Sequence, residues 1–188
     1  MRHFLEILLE DIGIEKIAES AKHSLNGLKT ACYYGCLLVR PHEVTKFDDP
    51  ENPTSLDRLV GALGGEGLDW PHKVECCGGG LSMSRTDIVI SLTQSILDMA
   101  RDSGARCITV SCPMCQINLD MRQLDIRKQT GKSYDMPIVY ITQLIGLCLG
   151  VPAAQLGFEK LMIPASDVIN TIGSGASVSK HDRTFAVK

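Results

Sequence analysis

The chain has 188 residues, 44% apolar and 22% charged, which is enough to bury one sound core. A net charge of −3 with 5% aromatic residues excludes a phosphate-neutralising nucleic-acid surface and a base-stacking platform. Membrane insertion is not expected either: the most apolar stretch, IVYITQLIGLCLGVPAA, carries Thr142 and Gln143 in its middle and falls short of the roughly 18 uninterrupted apolar residues of a span.

At the N-terminus, Phe4, Leu5, Leu8, Leu9 and Ile12 recur at helical spacing, Gly13 interrupts them, and a second helical stretch runs from Glu15 towards Lys22. Acidic residues every few positions give this segment an amphipathic character and deny it the apolar core of a secretory signal. A reducing cytoplasm is therefore the expected setting, and grouped cysteines there act as metal ligands or redox groups more often than as staples.

Leu25 to Cys32 reads as a short strand entering the turn Tyr33-Tyr34-Gly35-Cys36, where glycine can adopt backbone angles that other residues resist. Pro41, Pro50 and Pro53 mark a surface excursion; Ser55 is then expected to cap a short helix, LDRLVGALG, that stops at Gly64-Gly65. Gly64 to Gly67 reads as a loop, because no strand precedes it and no Lys-Ser/Thr follows as a phosphate-binding loop would need. Leu68 to Glu75 is expected to be a strand or extended segment, interrupted by Pro71, that delivers Cys76-Cys77 to a glycine-rich turn.

Ile88, Leu92, Ile96 and Met99 recur at fours and predict a helix over Ser82 to Ser103, stopped by Gly104. Arg106 to Ser111 is a β-branched run followed by a helix opening at or just after Pro113, which places Cys112 and Cys115 at a helix N-terminus. Free N–H groups and the positive end of the helix dipole favour thiolates there. Pro137 to Ile141 is a further strand, with Thr142 expected to cap the helix that follows. Strands alternating with helices predict an α/β fold, a single layered domain with a small, largely parallel sheet flanked by helices.

Five of the eight cysteines, Cys36, Cys76, Cys77, Cys112 and Cys115, read as one metal site. Five thiolates are one too many for tetrahedral zinc or for an ordinary four-cysteine cluster, so an iron–sulfur centre of unusual ligation uses them all. Adjacent sulfurs such as those of Cys76 and Cys77 reach two irons of a polynuclear cluster more readily than one tetrahedral ion. The competing readings are a thioredoxin-like CxxC at Cys112 and Cys115 and a strained vicinal disulfide at Cys76-Cys77. Cys32, Cys107 and Cys148 lie in apolar segments and are assigned to the core. His42 and His72 follow prolines in polar surroundings and read as solvated surface residues.

The segments YYGCLLVRP (Tyr33 to Pro41), ECCGGGLSMS (Glu75 to Ser84), SCPMCQINLD (Ser111 to Asp120) and PIVYITQLIGLCLG (Pro137 to Gly150) together resemble the B subunit of heterodisulfide reductase, a CCG-domain family. The resemblance runs from about residue 1 to Val151. It implies that Cys36, Cys76, Cys77, Cys112 and Cys115 hold a noncubane [4Fe-4S] cluster. It further implies two-electron reduction of a small-molecule disulfide such as CoM-S-S-CoB, with electrons arriving through the cubane-cluster C protein of heterodisulfide reductase from its flavin-bearing A protein. No catalytic base belongs to this scheme.

The family carries two such motifs in tandem, and this chain shows only the second, preceded by what resembles the interdomain helix. The expected organisation is thus N-terminal interdomain-type helices at 1–24, a cysteine-rich iron–sulfur domain at 25–160, and a polar, loosely ordered tail at 161–188 that loses apolar periodicity from Ser166. Two functions fit: the C-terminal half of a disulfide-reducing oxidoreductase subunit, dependent on a second repeat and partner subunits, or a single-cluster electron-transfer or zinc-binding module without turnover of its own.

Overall fold

Side-chain alternation along short strands, with a helix after each, builds the molecule. The structure, a computed structural model, describes residues 2–173. Strands β1 (Lys29–Tyr33), β2 (Glu66–Gly67), β3 (Cys107–Val110) and β4 (Ile138–Tyr140) form one sheet in the order β2-β1-β3-β4, every neighbouring pair parallel. Ala31 lies opposite Ile108 and Tyr33 opposite Val110.

Successive residues of a strand face opposite sides, and two separate cores result. Ala31, Tyr33, Ile108, Val110 and Ile138 pack beneath helices α5 (Thr86–Asp102) and α6 (Pro113–Thr130) through Ile96, Leu97, Leu119 and Ile126. Cys32, Cys107 and Val139 face the other side. There they meet Leu5 of α1 (Phe4–Glu6), Ile17 of α2 (Ile14–Ser20), Leu56 and Leu59 of α4 (Ser55–Ala62), and Leu144 and Cys148 of α7 (Ile141–Cys148). A π-helical segment, Ile7–Ile12, joins α1 to α2, and a single turn, α3 (His42–Thr45), lies in the excursion after β1. The α/β layering expected from the sequence is the layering observed.

Several local expectations differ from what forms. The first strand starts at Lys29, because Leu25 to Leu28 closes a turn through Asn26 and Gly27, both at positive φ. Glu66–Gly67, expected as loop, is the edge strand β2, whereas Leu68 to Glu75, expected as extended, turns away from the sheet at Pro71 once the Leu68 N–H has reached the Thr30 carbonyl. Close packing explains the glycine: a Cβ on Gly67 would stand 2.8 Å from the Asp57 carboxylate of α4. α5 begins at Thr86, preceded by the 3-10 turn Gly79–Leu81 that the glycines after the cysteine pair allow.

Ser55 does not cap α4. Its own hydroxyl is buried without a partner, and Asp48 Oδ2 accepts the Thr54 and Ser55 N–H groups at 3.0 and 2.7 Å instead. Thr142 likewise sits inside α7, whose first turn is closed by Gln143 Oε1 accepting the Tyr140 N–H at 2.9 Å. Ser166–Gly173, expected as the start of a loose tail, is helix α8, with Val168 and Ile172 buried in the core. Of the expected tail 161–188, residues 174–188 lie outside the described residues.

Candidate metal centre

The chain enters the sheet at β1 and places later strands on either side of it, β2 outward and β3 inward, so the crevice between the C-terminal ends of β1 and β3 is the topological switch point where α/β sheets hold ligands. A cavity of about 400 Å³ opens there. Its walls come from three segments: Tyr34 and Cys36 to Leu38 after β1, Cys76, Cys77, Gly79 and Gly80 ahead of α5, and Cys112 to Cys115 at the start of α6, with His3 at the edge. All five cysteines singled out in the sequence line it.

Within the cavity the sulfurs are in contact as two pairs, Cys36 Sγ to Cys76 Sγ at 3.8 Å and Cys77 Sγ to Cys115 Sγ at 3.6 Å. Cys77 and Cys115 are nearly buried, at 4% and 5% exposure, whereas Cys76 is exposed and Cys36 and Cys112 are half-buried. Among the described residues no three His, Cys, Asp or Glu side chains converge as a single-ion site. The five sulfurs line one cavity from three chain segments.

Local chemistry makes room for them. Gly35 has φ +68°, and a Cβ there would stand 3.0 Å from Cys115 Sγ. Gly79 passes 3.5 Å from Cys77 Sγ by the same measure, and Gly78 at φ +76° sends its N–H to Cys76 Sγ at 3.3 Å. Pro113 opens α6 without losing a hydrogen bond and leaves Cys112 as the residue before the first turn.

Surroundings shift four of the cavity cysteines in different directions. Cys112 is drawn down to about 6 by the Cys115 S–H and by backbone N–H groups of Cys115 and Met114 at the helix start. Cys77 is drawn down to about 6 by its contact with Cys115, helped by Gly79 N–H and Asn118 against burial. Cys115 itself is pushed up by these two neighbours and by burial. Cys36 is pushed up by burial and then by Cys76.

Burial raises the core cysteines as well: Cys32 is pushed up, Cys107 to about 11 and Cys148 to about 12. All three are fully buried away from the cavity, Cys32 and Cys107 on the opposite face of the sheet from Tyr33 and Val110. Neither histidine joins the sulfurs. His72 stacks on Trp70 and shares a hydrogen bond with Ser95 at 3.1 Å, and His42 lies on α3.

Supporting residues were not legible as site residues from the sequence. Asn118 Nδ2 donates to the Cys77 carbonyl at 2.5 Å while Ser82 donates to Asn118 Oδ1 at 3.1 Å. Tyr33 donates to the Glu75 carbonyl at 2.5 Å, so a β1 side chain holds the backbone entering Cys76. The Tyr34 hydroxyl accepts N–H from Leu56 and Asp57 at 2.8 and 3.2 Å and donates to Asp57 Oδ2 at 2.5 Å. Asp57 also meets the buried Lys73 ammonium at 3.2 Å. Asn118 stands three residues after Cys115 on one helix face, a spacing that could have found it; the tyrosines carried no such signal.

A parallel α/β layer with five cysteines around its switch-point crevice defines a cysteine-rich α/β domain. The chain belongs to the CCG family of cysteine-rich domains, whose model matches residues 30–120 and so includes all five cavity cysteines. It is similar to the B subunit of the Ferredoxin:CoB-CoM heterodisulfide reductase of Methanosarcina mazei, 35% identical over 162 residues, covering 85% of this chain and 54% of that protein. It is also similar to the 8-methylmenaquinol:fumarate reductase membrane anchor subunit of Wolinella succinogenes, at 33% identity over 81% of this chain and 54% of that protein. A protein of Archaeoglobus profundus, described as like the B subunit of heterodisulfide reductase, is 34% identical over 79% of this chain and 51% of its own length. The chain thus spans about half the length of the curated relatives it matches. Among the described residues no helix is long and apolar enough to cross a membrane.

Proposed function

We propose that this chain is an iron–sulfur subunit, the C-terminal half of a heterodisulfide-reductase-type oxidoreductase, in which Cys36, Cys76, Cys77, Cys112 and Cys115 hold a noncubane [4Fe-4S] cluster. The observation that carries the reading is the convergence of five sulfurs from three chain segments on one cavity. The donor set fits the group: soft sulfur ligands, two of them drawn towards the thiolate, around an apolar space that glycines keep open. Five sulfurs on one cavity, one more than tetrahedral zinc takes, favour a polynuclear cluster over the zinc alternative.

When bound, such a cluster would supply electrons one at a time and Lewis-acidic iron with affinity for sulfur. The chain's own residues do the rest. Leu37, Leu38 and Met114 give the cavity apolar lining, and the α6 N-terminus stabilises negative charge on Cys112. Asn118 and Tyr33 fix the backbone on either side of the Cys76-Cys77 pair. The substrate class is a small-molecule disulfide of the CoM-S-S-CoB kind. The electron donors are a cubane-cluster protein and a flavin protein, like the C and A proteins of heterodisulfide reductase, and the setting is cytoplasmic. Similarity to the B subunit of a CoB-CoM heterodisulfide reductase supports the substrate class.

Iron and acid-labile sulfide assays with EPR on anaerobically purified protein test the reading. Near four irons per chain and a signal altered by added thiol are expected, since this is the stoichiometry of a [4Fe-4S] centre. Zinc alone, with no visible absorption, would remove the cluster assignment.

A further inference from the structure

The two sulfur contacts in the cavity differ in a way that metal ligation does not use. Cys36 and Cys76 meet at 3.8 Å at the exposed rim, whereas Cys77 and Cys115 meet at 3.6 Å on a floor that is nearly closed to solvent. We propose that the rim pair, Cys36 and Cys76, is a reversible oxidation site in the metal-free chain, a disulfide latch formed by exchange with a small organic disulfide. The latch belongs to the chain without metal and stands whichever metal group the cavity takes.

Position selects the order of events. Cys76 is the exposed sulfur, so a small disulfide in solution reaches it first. Its thiolate attacks one sulfur of the organic disulfide; that S–S bond breaks, and one thiol departs with the electron pair. The Cys36 sulfur then attacks Cys76 and releases the second thiol. Two protein thiols are oxidised by two electrons, one organic disulfide is reduced to two thiols, and the two thiol protons end on the departing sulfurs.

Cys36 is already in contact with Cys76, and a disulfide needs about 2.05 Å between sulfurs, so side-chain rotation and small loop shifts close the gap. Cys77 and Cys76 are adjacent in the chain and would need a strained ring. Cys115 is turned to Cys77 and is shielded from a small oxidant by burial. The rim bond ties the segment after β1 to the loop ahead of α5 and withdraws two of the five sulfurs from the cavity, so metal uptake waits on reduction.

The test uses the full chain, stripped of metal, reduced and then titrated anaerobically with oxidised glutathione, with disulfides mapped by non-reducing peptide mass spectrometry. Cys36 to Cys76 is expected as the first link, with loss of two free thiols and full reversal by dithiothreitol. C112S should keep that link, and C36S should convert it into a glutathione adduct on Cys76. A first link between Cys112 and Cys115 or between Cys76 and Cys77, or adducts without any link in the unaltered chain, would overturn the proposal. Iron and sulfide uptake gives a second reading: the oxidised chain should load only after reduction, and equal loading of both forms overturns the latch. If neither form loads while the Cys36 to Cys76 bond is mapped, the cluster reading fails and the oxidation site stands.

Discussion

The side-chain amide of Asn118 donates to the carbonyl of Cys77 at 2.5 Å, and this bond joins the first turns of α6 to the loop that presents the cysteine pair. Two of the three sulfur-bearing segments are thereby held by one buried polar contact. N118A leaves a buried carbonyl unpaired, and a loss of about 1–3 kcal/mol in urea unfolding is expected, with metal content reduced in parallel. An unfolding midpoint unchanged from the parent chain would show that the contact holds nothing.

Gly35 answers a different question, because its backbone angle and its neighbour can be separated by a control. G35A forces a side chain into the left-handed region and against Cys115 Sγ, whereas G131A, at φ +75° with no atom within 4 Å of a new Cβ, meets the backbone penalty alone. That penalty is about 1–2 kcal/mol. G35A should therefore destabilise more than G131A and should lower metal uptake, which G131A leaves intact. Equal losses in the two variants, with equal metal content, would remove Cys115 packing from the explanation.

The proposed ligand set predicts a sharp division among serine substitutions. C76S and C77S should each abolish the visible absorption of the loaded protein, because both sulfurs line the cavity; C148S, buried between α7 and its neighbours, should leave the spectrum unchanged. Loss in C148S with retention in C76S would reverse the assignment.

Asp120 gives a pH dependence whose sign is fixed by burial. Its carboxylate accepts the Met162 and Ile163 N–H groups at 2.7 and 3.0 Å, yet burial outweighs those bonds and pushes its pKa above the ordinary carboxylate range. A native carboxyl that keeps its proton longer than the unfolded one contributes stability fully below the unfolded pKa of about 3.9, and loses it as pH rises through the native value. The stability difference between the parent chain and D120N, measured by denaturant unfolding from acid to neutral pH, should thus move against the parent as pH rises across that window. A difference that is flat, or that moves in favour of the parent, contradicts the raised pKa.

Strand and helix order was legible because β3, α5 and α6 carry strong local signals: a β-branched run, apolar residues at fours, and a proline at a helix start. Boundaries set by distant partners were not. Ser55 has the right residue type for a cap, but Asp48 reaches the same N–H groups from a preceding loop and takes the role. Glu66–Gly67 has no strand character of its own and becomes β2 because β1 offers it hydrogen bonds and Asp57 leaves room for nothing larger than glycine. α8 carries Val168, Ile169 and Ile172 at helical spacing, but over only eight residues among polar neighbours, and the core accepts Val168 and Ile172.

The amino-acid sequence by itself determined the alternation of strands and helices and the grouping of five cysteines apart from the other three, because residue type, spacing and local periodicity are properties of neighbours along the chain. Only the tertiary structure decided that Cys36 meets Cys76 while Cys77 meets Cys115, that Asn118 and the two tyrosines support them, and which sulfurs stand open to solvent. Those relations join residues tens of positions apart, and they exist only where the parallel order of β1 and β3 brings three loops to one crevice.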